Sequence, residues 1–540
     1  MVLSRLIYFA VFLFISSSSF AAVNRYVVFF KDKVGSSYSV SNPLVFLSQR
    51  AIDRRTKQSI VVTETDFPVN QNYIDGVKAT GAETYFQSRW MNALLVQCDA
   101  SLLPTIEALT YVDHIEFVAP NAKLLINGRK KEIERAQGSK ATEATDIQLQ
   151  QIGIDKMHED GFRGEGMLIA IFDDGFQGVN TALPFQPLFD ESRIDLTTSK
   201  DFVFNTSNIF QYDDHGTQVF SVIAAFQSGT FTGGAYNARY QLYVTEDVAA
   251  EYRIEEYNWL FAAERADSAG VDVINSSLGY YDFDNASMDY AKTDMDGITT
   301  VISRAAQLAA DRGMLIVCSA GNEGGIAWQI ITAPADAKDV LAIANVNSSG
   351  VRSGSSSIGP SADGRIKPDV AAMGSGTSVI QLNGSLGSSS GTSLSAPLIT
   401  SLVAGLWQRY PSLTSKEIMN AIRQSASQAA NPDNFIGYGI PNYQAAVNYI
   451  ERQSQENIFE VYPNPIQSGS VFIQPYDPNE VSSCRIQLIS ATGQLVYDDE
   501  ISFSWINLST AIDVSPLSSG LYFLRIFSNN KRFTYKLVKI

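Results

Sequence analysis

Between residues 150 and 450, short and almost wholly apolar runs alternate with longer segments of helical period. The runs lie at 167–172, 239–244, 271–275, 314–319 and 340–344. The clearest helical patterns are at 254–269 and 298–312, the second closed by Gly313. A strand that is apolar on both faces needs cover on both faces, and helices between successive strands supply it. The pattern predicts an α/β fold, a parallel central sheet flanked by helices in three layers. In such sheets ligands bind outside the carboxyl ends of the strands, so functional residues are expected just after strands.

The flanks read differently. Residues 23–126 form a small α+β pattern, with strands at 25–30, 83–87, 93–97 and 114–118 and helices at 43–55, 73–80 and 102–109. Residues 127–148 are polar and charge-rich, the composition of a linker or processing region. The α/β domain is assigned to 149–454 and a C-terminal β-sandwich to 455–540. In the latter, alternating runs at 471–474, 485–489, 495–497, 521–526 and 533–538 are punctuated by PNP, DPN, ATG and SSG turns. Residues 1–22 carry Arg5, an apolar run at 6–15 and then small residues, the order of a secretory signal peptide. That run is about half the ~20 residues a spanning helix needs, so no transmembrane segment is expected.

Composition narrows the function. The net charge is −16, and residues 146–454, with 18 basic and 35 acidic side chains, hold essentially all of it. Phosphate binding draws on Lys and Arg, so a nucleic-acid partner is disfavoured, and a solvated acidic surface is the plainer meaning. Cys98, Cys318 and Cys484 lie one to each domain, too far apart for zinc-ligand spacing and too few for a disulfide framework. No metal or other cofactor is assigned. An imidazole catalyst must come from His114, His158 or His215.

Three segments of the middle region carry chemistry. Strand LIAIF runs into Asp173-Asp174-Gly175; Asp213-Asp214-His215-Gly216-Thr217 opens a helix; and Gly391-Thr392-Ser393-Leu394-Ser395-Ala396-Pro397 enters an apolar helix, with Pro397 expected in its first turn. A serine hydroxyl is a poor nucleophile near neutral pH. It needs a base within hydrogen-bond reach, and the base needs an acceptor that fixes its tautomer. Ser393, His215 and Asp173 can fill those roles. Each alone has a blander explanation, as a cap, a turn or a structural histidine; their joint occurrence on one α/β pattern does not. Asn322, after the strand at 314–319, is placed to donate a hydrogen bond to a developing oxyanion.

These residues sit in IAIFDDG, DDHGTQV, NSSLG, SAGNEG, IKPDVAAMG and SSGTSLSAP, in that order, and the region 150–450 resembles the subtilisin-like serine proteases. The resemblance implies a secreted endopeptidase working on polypeptides through an acyl-enzyme. Asp173 would be the orienting acid, His215 the general base and acid, Ser393 the nucleophile and Asn322 the oxyanion donor. Ser277, Leu278 and Gly279 would form an edge for the substrate, with Ala320, Gly321 and Glu323 near the pocket for the residue before the cleaved bond. Asp174 stands where the family usually has Ser or Thr, and Gln218 where many members have a second His. A charged Asp174 would raise the imidazole pKa. Many subtilases bind calcium, but no calcium-ligand pattern is readable here.

By the same resemblance, residues 24–120 match the propeptide that assists folding and blocks the cleft, making the enzyme a zymogen. The YPNP, ATG, SGLY and KLVKI segments resemble the sorting domain of the Bacteroidota type IX secretion system. They imply that machinery as a partner, and passage through the periplasm to the medium or the cell surface. The competing reading is a catalytically silent, surface-displayed binding protein on the same scaffold.

Overall fold

The computed structural model describes residues 23–120, 145–456 and 458–540, apart from Ser468, Glu480, Trp505, Ile506, Asn529 and Asn530. The signal peptide read at 1–22 and most of the linker at 127–148 lie outside the described residues. The chain divides into two compact units, the first ending at Gln444 and the second beginning at Ala445.

In the first unit, β1 (Val23–Phe30), α1 (Gln49–Lys57), α2 (Gln71–Ala79), β2 (Glu83–Ser88), β3 (Ala93–Asp99) and β4 (Val112–Ala119) build an antiparallel sheet of order β2-β3-β1-β4. Its strands alternate between two cores. Tyr26, Val28, Phe30, Leu94, Val96 and Cys98 face a local core that includes Val77 of α2. Val27, Ala93, Leu95 and Val118 join a second core with Trp259, Leu260 and Ala306 of the following domain. A sheet covered on both faces explains runs such as VVFF and ALLV, which carry no polar alternation.

That domain contains β5 (Leu168–Asp173), β6 (Lys200–Asp201), α3 (His215–Ala224), β7 (Arg239–Val244), α4 (Ile254–Ala269), β8 (Val273–Ser276), α5 (Val301–Asp311), β9 (Leu315–Ser319), β10 (Val340–Val346), β11 (Val370–Met373) and α6 (Thr392–Arg409). The sheet runs β11-β10-β9-β8-β5-β7-β6 with every pair parallel, as the apolar runs predicted. The edge strands β6, only two residues long, and β11 escaped the sequence pattern. Helix α5 starts at Val301 rather than 298. Asp296 ties down the backbone N–H groups of Ile298 and Thr299, and Thr300 is the cap, its hydroxyl accepting from Ser303 N. Residues 145–148, assigned to the linker, already belong to the fold: a helix runs over Asp146–Gln151, and buried Gln148 holds both backbone groups of Ser378.

In the second unit, β12 (Phe459–Tyr462), β13 (Ser470–Pro475) and β16 (Thr510–Asp513) form one antiparallel sheet. The other sheet contains β14 (Ser483–Ser490), β15 (Leu495–Ser502), β17 (Gly520–Ser528) and β18 (Lys531–Lys539). Inward residues of both sheets, among them Val471, Ile473, Ile486, Leu488, Leu524 and Ile526, close one core, which is the expected sandwich.

Candidate active site

Asp173 is the last residue of β5, at the carboxyl edge of the sheet, and is fully buried. Its Oδ1 accepts from His215 Nδ1 at 2.6 Å and from the Asp174 N–H at 3.0 Å. His215 opens α3, whose Val219, Val222 and Ile223 are buried in the core, and its ring stays one-fifth exposed. The approach of helix to strand depends on Gly216. A Cβ there would overlap the Gly175 carbonyl and lie 2.9 Å from Asp173 Cβ. The HG pair of DDHGT thus sets the distance between acid and imidazole.

Ser393 lies in the first turn of α6, where backbone N–H groups have no helical partner and the helix dipole favours negative charge. Asn322 follows β9 directly across from it. The Asn322 Oδ1 accepts from Thr392 N at 2.9 Å and Thr392 Oγ1 at 3.1 Å, which fixes the amide. A Cβ placed on Gly391 would sit 2.9 Å from Ser393 Oγ and 3.6 Å from Asn322 Nδ2, so hydroxyl and amide nitrogen flank one small space.

Pro397 is not in the first turn, as expected, but is the sixth residue of α6. Its missing N–H leaves the Ser393 carbonyl without the usual helical donor. Ser277 Oγ supplies the bond instead, at 2.9 Å, and Asn275 Nδ2 lies 3.1 Å from the same hydroxyl while Asn275 Oδ1 accepts from Thr400 Oγ1 at 2.8 Å. The proline of GTSLSAP thus frees a carbonyl that the second serine of SSLG takes up, a pairing the sequence did not reveal.

Burial and the neighbouring Asp173 push the half-buried Asp174 carboxyl well above the usual aspartate range, and its Oδ1 accepts from Gly216 N. Asp174 therefore holds a proton where ordinary carboxylates have lost theirs. Asp173, Asp174 and His215 also bring ligand atoms within 4.8 Å of one another. Calcium takes six to eight oxygens, and a set of two carboxylates and an imidazole does not suit it.

The expected substrate residues lie at the adjoining ends of β8 and β9. Leu278 turns its side chain into the core and its carbonyl accepts from Ser319 Oγ. Ala320 has both backbone groups paired, its N–H to Ile343 O and its carbonyl to Thr332 N. Gly321 holds φ +105°, where a side chain would be strained. Glu323 N donates to Ser357 Oγ, and Tyr281, stacked on Trp328 at 4.4 Å, donates its hydroxyl to Glu323 at 3.4 Å. Tyr281, Trp328 and Thr332 fall outside the motifs and went unnoticed. Of the other histidines, His158 lies 2.8 Å from the Gly234 carbonyl through Nε2, and His114 sits in β4 beside Asp113.

A second buried polar cluster joins the N-terminal sheet to α4. Asp267 pairs with Arg54, with Arg89 and, at 2.7 Å, with Arg55; Asp66 takes Arg55 at 2.9 Å and Arg312 at 2.8 Å. Glu264 accepts the backbone N–H groups of Arg89 and Trp90. Burial alone would raise the Asp267 pKa, but Arg89, Arg55, Arg54 and Arg312 outweigh it and hold the carboxyl below the usual range.

Three family profiles match: the subtilase family over residues 164–439, the peptidase S8 propeptide domain of Bacteroidota over 25–137, and the secretion system C-terminal sorting domain over 460–540. Among curated relatives, subtilisin NAT of Bacillus subtilis subsp. natto is 26% identical over 305 residues, covering 55% of this chain and 70% of the relative. Mycosin-4 of Mycobacterium tuberculosis is 28% identical over 322 residues, covering 53% and 66%. The crystal structure of the epidermin leader peptide processing serine protease of Staphylococcus aureus superposes with TM-score 0.54 at 15% identity, over 78% of this chain and 99% of that one, a likeness of fold.

Proposed function

Because the chain belongs to the subtilase family, and is a serine-type endopeptidase made as a zymogen with a sorting domain for export, we propose that Asp173, His215 and Ser393 form its catalytic triad. The observation that carries this reading is the 2.6 Å bond between Asp173 Oδ1 and His215 Nδ1. It fixes the imidazole tautomer and leaves Nε2 as the base. His215 takes the Ser393 hydroxyl proton as Oγ attacks the scissile carbonyl, and returns it to the leaving amine. The oxyanion is met by Asn322 Nδ2 and the Ser393 N–H, and water then hydrolyses the acyl-enzyme through the same base. The Ser277 hydroxyl, bonded to the Ser393 carbonyl, holds the nucleophile's backbone against the substrate edge.

The N-terminal sheet, sharing a core and an arginine cluster with α4, acts in this reading as the propeptide that templates the domain and closes its cleft. The substrate is polypeptide, and the C-terminal sandwich presents the chain to the type IX machinery on the way through the periplasm. Casein digestion by the exported protein tests the reading. The Ser393→Ala variant is expected to leave casein intact, and undiminished proteolysis by that variant would sink the assignment.

A further inference from the structure

The segments after β8 and β9 are both hydrogen-bonded to one strip of chain, residues 332–333. Thr332 N donates to the Ala320 carbonyl, while Ala333 and Tyr280 exchange backbone hydrogen bonds. That strip therefore joins the two segments. The Thr332 side chain stands on it, 2% exposed, with its hydroxyl wedged between two glycines. A Cβ on Gly279 would overlap Thr332 Oγ1, and one on Gly321 would come within 2.9 Å of it. Both glycines are thus needed to admit the threonine, and the threonine fills the space between them. Thr332 Oγ1 is also a buried polar atom with no hydrogen-bond partner. Buried hydroxyls are nearly always paired, and an orphan is costly unless something arrives to satisfy it.

We infer that Thr332 sets the depth of the pocket for the residue just before the cleaved bond, so that this enzyme cuts after small side chains and favours serine over alanine there. The inference rests on the reading above that residues 277–279 and 320–322 flank the substrate. A side chain entering between Gly279 and Gly321 meets Thr332 after one or two heavy atoms. Alanine and serine fit, and serine's hydroxyl pairs with the orphaned Oγ1. Leucine and phenylalanine require the floor to yield, and cores and pockets packed to this density yield poorly.

The test uses a peptide series that differs only at that position, with Ala, Ser, Leu or Phe, cleaved by the mature protein and by Thr332→Gly and Thr332→Val. The wild type is expected to show kcat/KM for Ala and Ser at least about tenfold above Phe, the scale of discrimination a pocket wall provides. Thr332→Gly opens the floor and raises the Phe:Ala ratio by about tenfold or more. Thr332→Val keeps the volume and loses the hydroxyl, so it retains the exclusion of Phe but abolishes the preference for Ser over Ala. Wild type cleaving after Phe as readily as after Ala, or Thr332→Gly leaving the Phe:Ala ratio unchanged, overturns the inference. An unchanged Ser:Ala ratio in Thr332→Val overturns its hydrogen-bond part. Titration of each protein with a fluorophosphonate counts active Ser393 and removes misfolded enzyme from the comparison. A wild type that cleaves the series but takes no label contradicts the triad, whereas full labelling with unaltered ratios contradicts only the role of Thr332.

Discussion

Two clusters in the first unit bury an aspartate completely, and they treat it in opposite ways. Asp267, on the face of α4 turned to the N-terminal region, is surrounded by three arginines. Asp173, at the end of β5, has one imidazole and one backbone N–H on Oδ1, while Oδ2 has no hydrogen-bond partner. A buried carboxylate with several guanidinium partners is held in one state by their charge, which suits an attachment. One facing a single titratable ring keeps its charge available to the imidazolium that forms when that ring takes a proton. The first arrangement joins two parts of a precursor, and the second is arranged for turnover.

Substitutions separate the two most sharply. At the catalytic centre, Ser393→Ala is expected to lower kcat by about five to six orders of magnitude, since triad members act as a unit. A denaturant melt of that variant should match the wild-type precursor. At the N-terminal seat the pattern reverses. Asp267→Ala, made in the Ser393→Ala background so that the precursor stays whole, takes the shared carboxylate from buried Arg54 and Arg89 and leaves Arg55 only Asp66, and should cost about 3–5 kcal/mol in a urea melt. Mature enzyme carrying Asp267→Ala alone should keep its kcat once the N-terminal region is gone. Equal precursor stability with and without Asp267 would erase the contrast.

The pH dependence differs as well. The folded-state pKa of Asp267 is depressed, so its contribution is complete above the ordinary aspartate range and is lost only as pH falls through the lowered value. At Asp267, acidification to about pH 5 therefore leaves the attachment in place. Asp174 has the opposite sign. With its folded pKa raised, it detracts from stability as pH rises above the ordinary range, because the unfolded chain releases the proton first. Asp174→Asn cannot ionise and can still donate a hydrogen bond, so it should match the wild type at pH 4 and melt at a higher temperature than it at pH 9. Parallel melting curves at the two pH values would contradict this. The smallest effect concerns the Ser277–Ser393 contact: Ser277→Ala removes the hydrogen bond to the Ser393 carbonyl, worth about 1 kcal/mol, and should lower kcat/KM about fivefold on any peptide.

The sequence made the parallel sheet legible because strands buried on both faces leave an unbroken apolar run, and β5, β7 and β9 were located to within a residue. It did not show β11, nor β6, which at two residues is too short to make a pattern. The pairing of Asp173 with His215 and of Asn322 with the start of α6 was readable because each residue follows or opens a regular element within a compact motif. Thr332 and the Ser277–Ser393 hydrogen bond were not, since both depend on segments far apart in the chain meeting near the ends of β8 and β9. The arginine cluster was hidden for a similar reason. Arg54 and Arg55 lie on α1 and Arg89 just after β2, and only the fold brings them together against Asp267 of α4.

The central claim, that one serine is activated by the Asp173-bound His215, is tested most directly by fluorophosphonate labelling of the exported protein and mapping of the modified residue by tandem mass spectrometry. The account predicts a single modification, on Ser393, that disappears in His215→Ala. Modification of another serine, or undiminished labelling of Ser393 without His215, would contradict it.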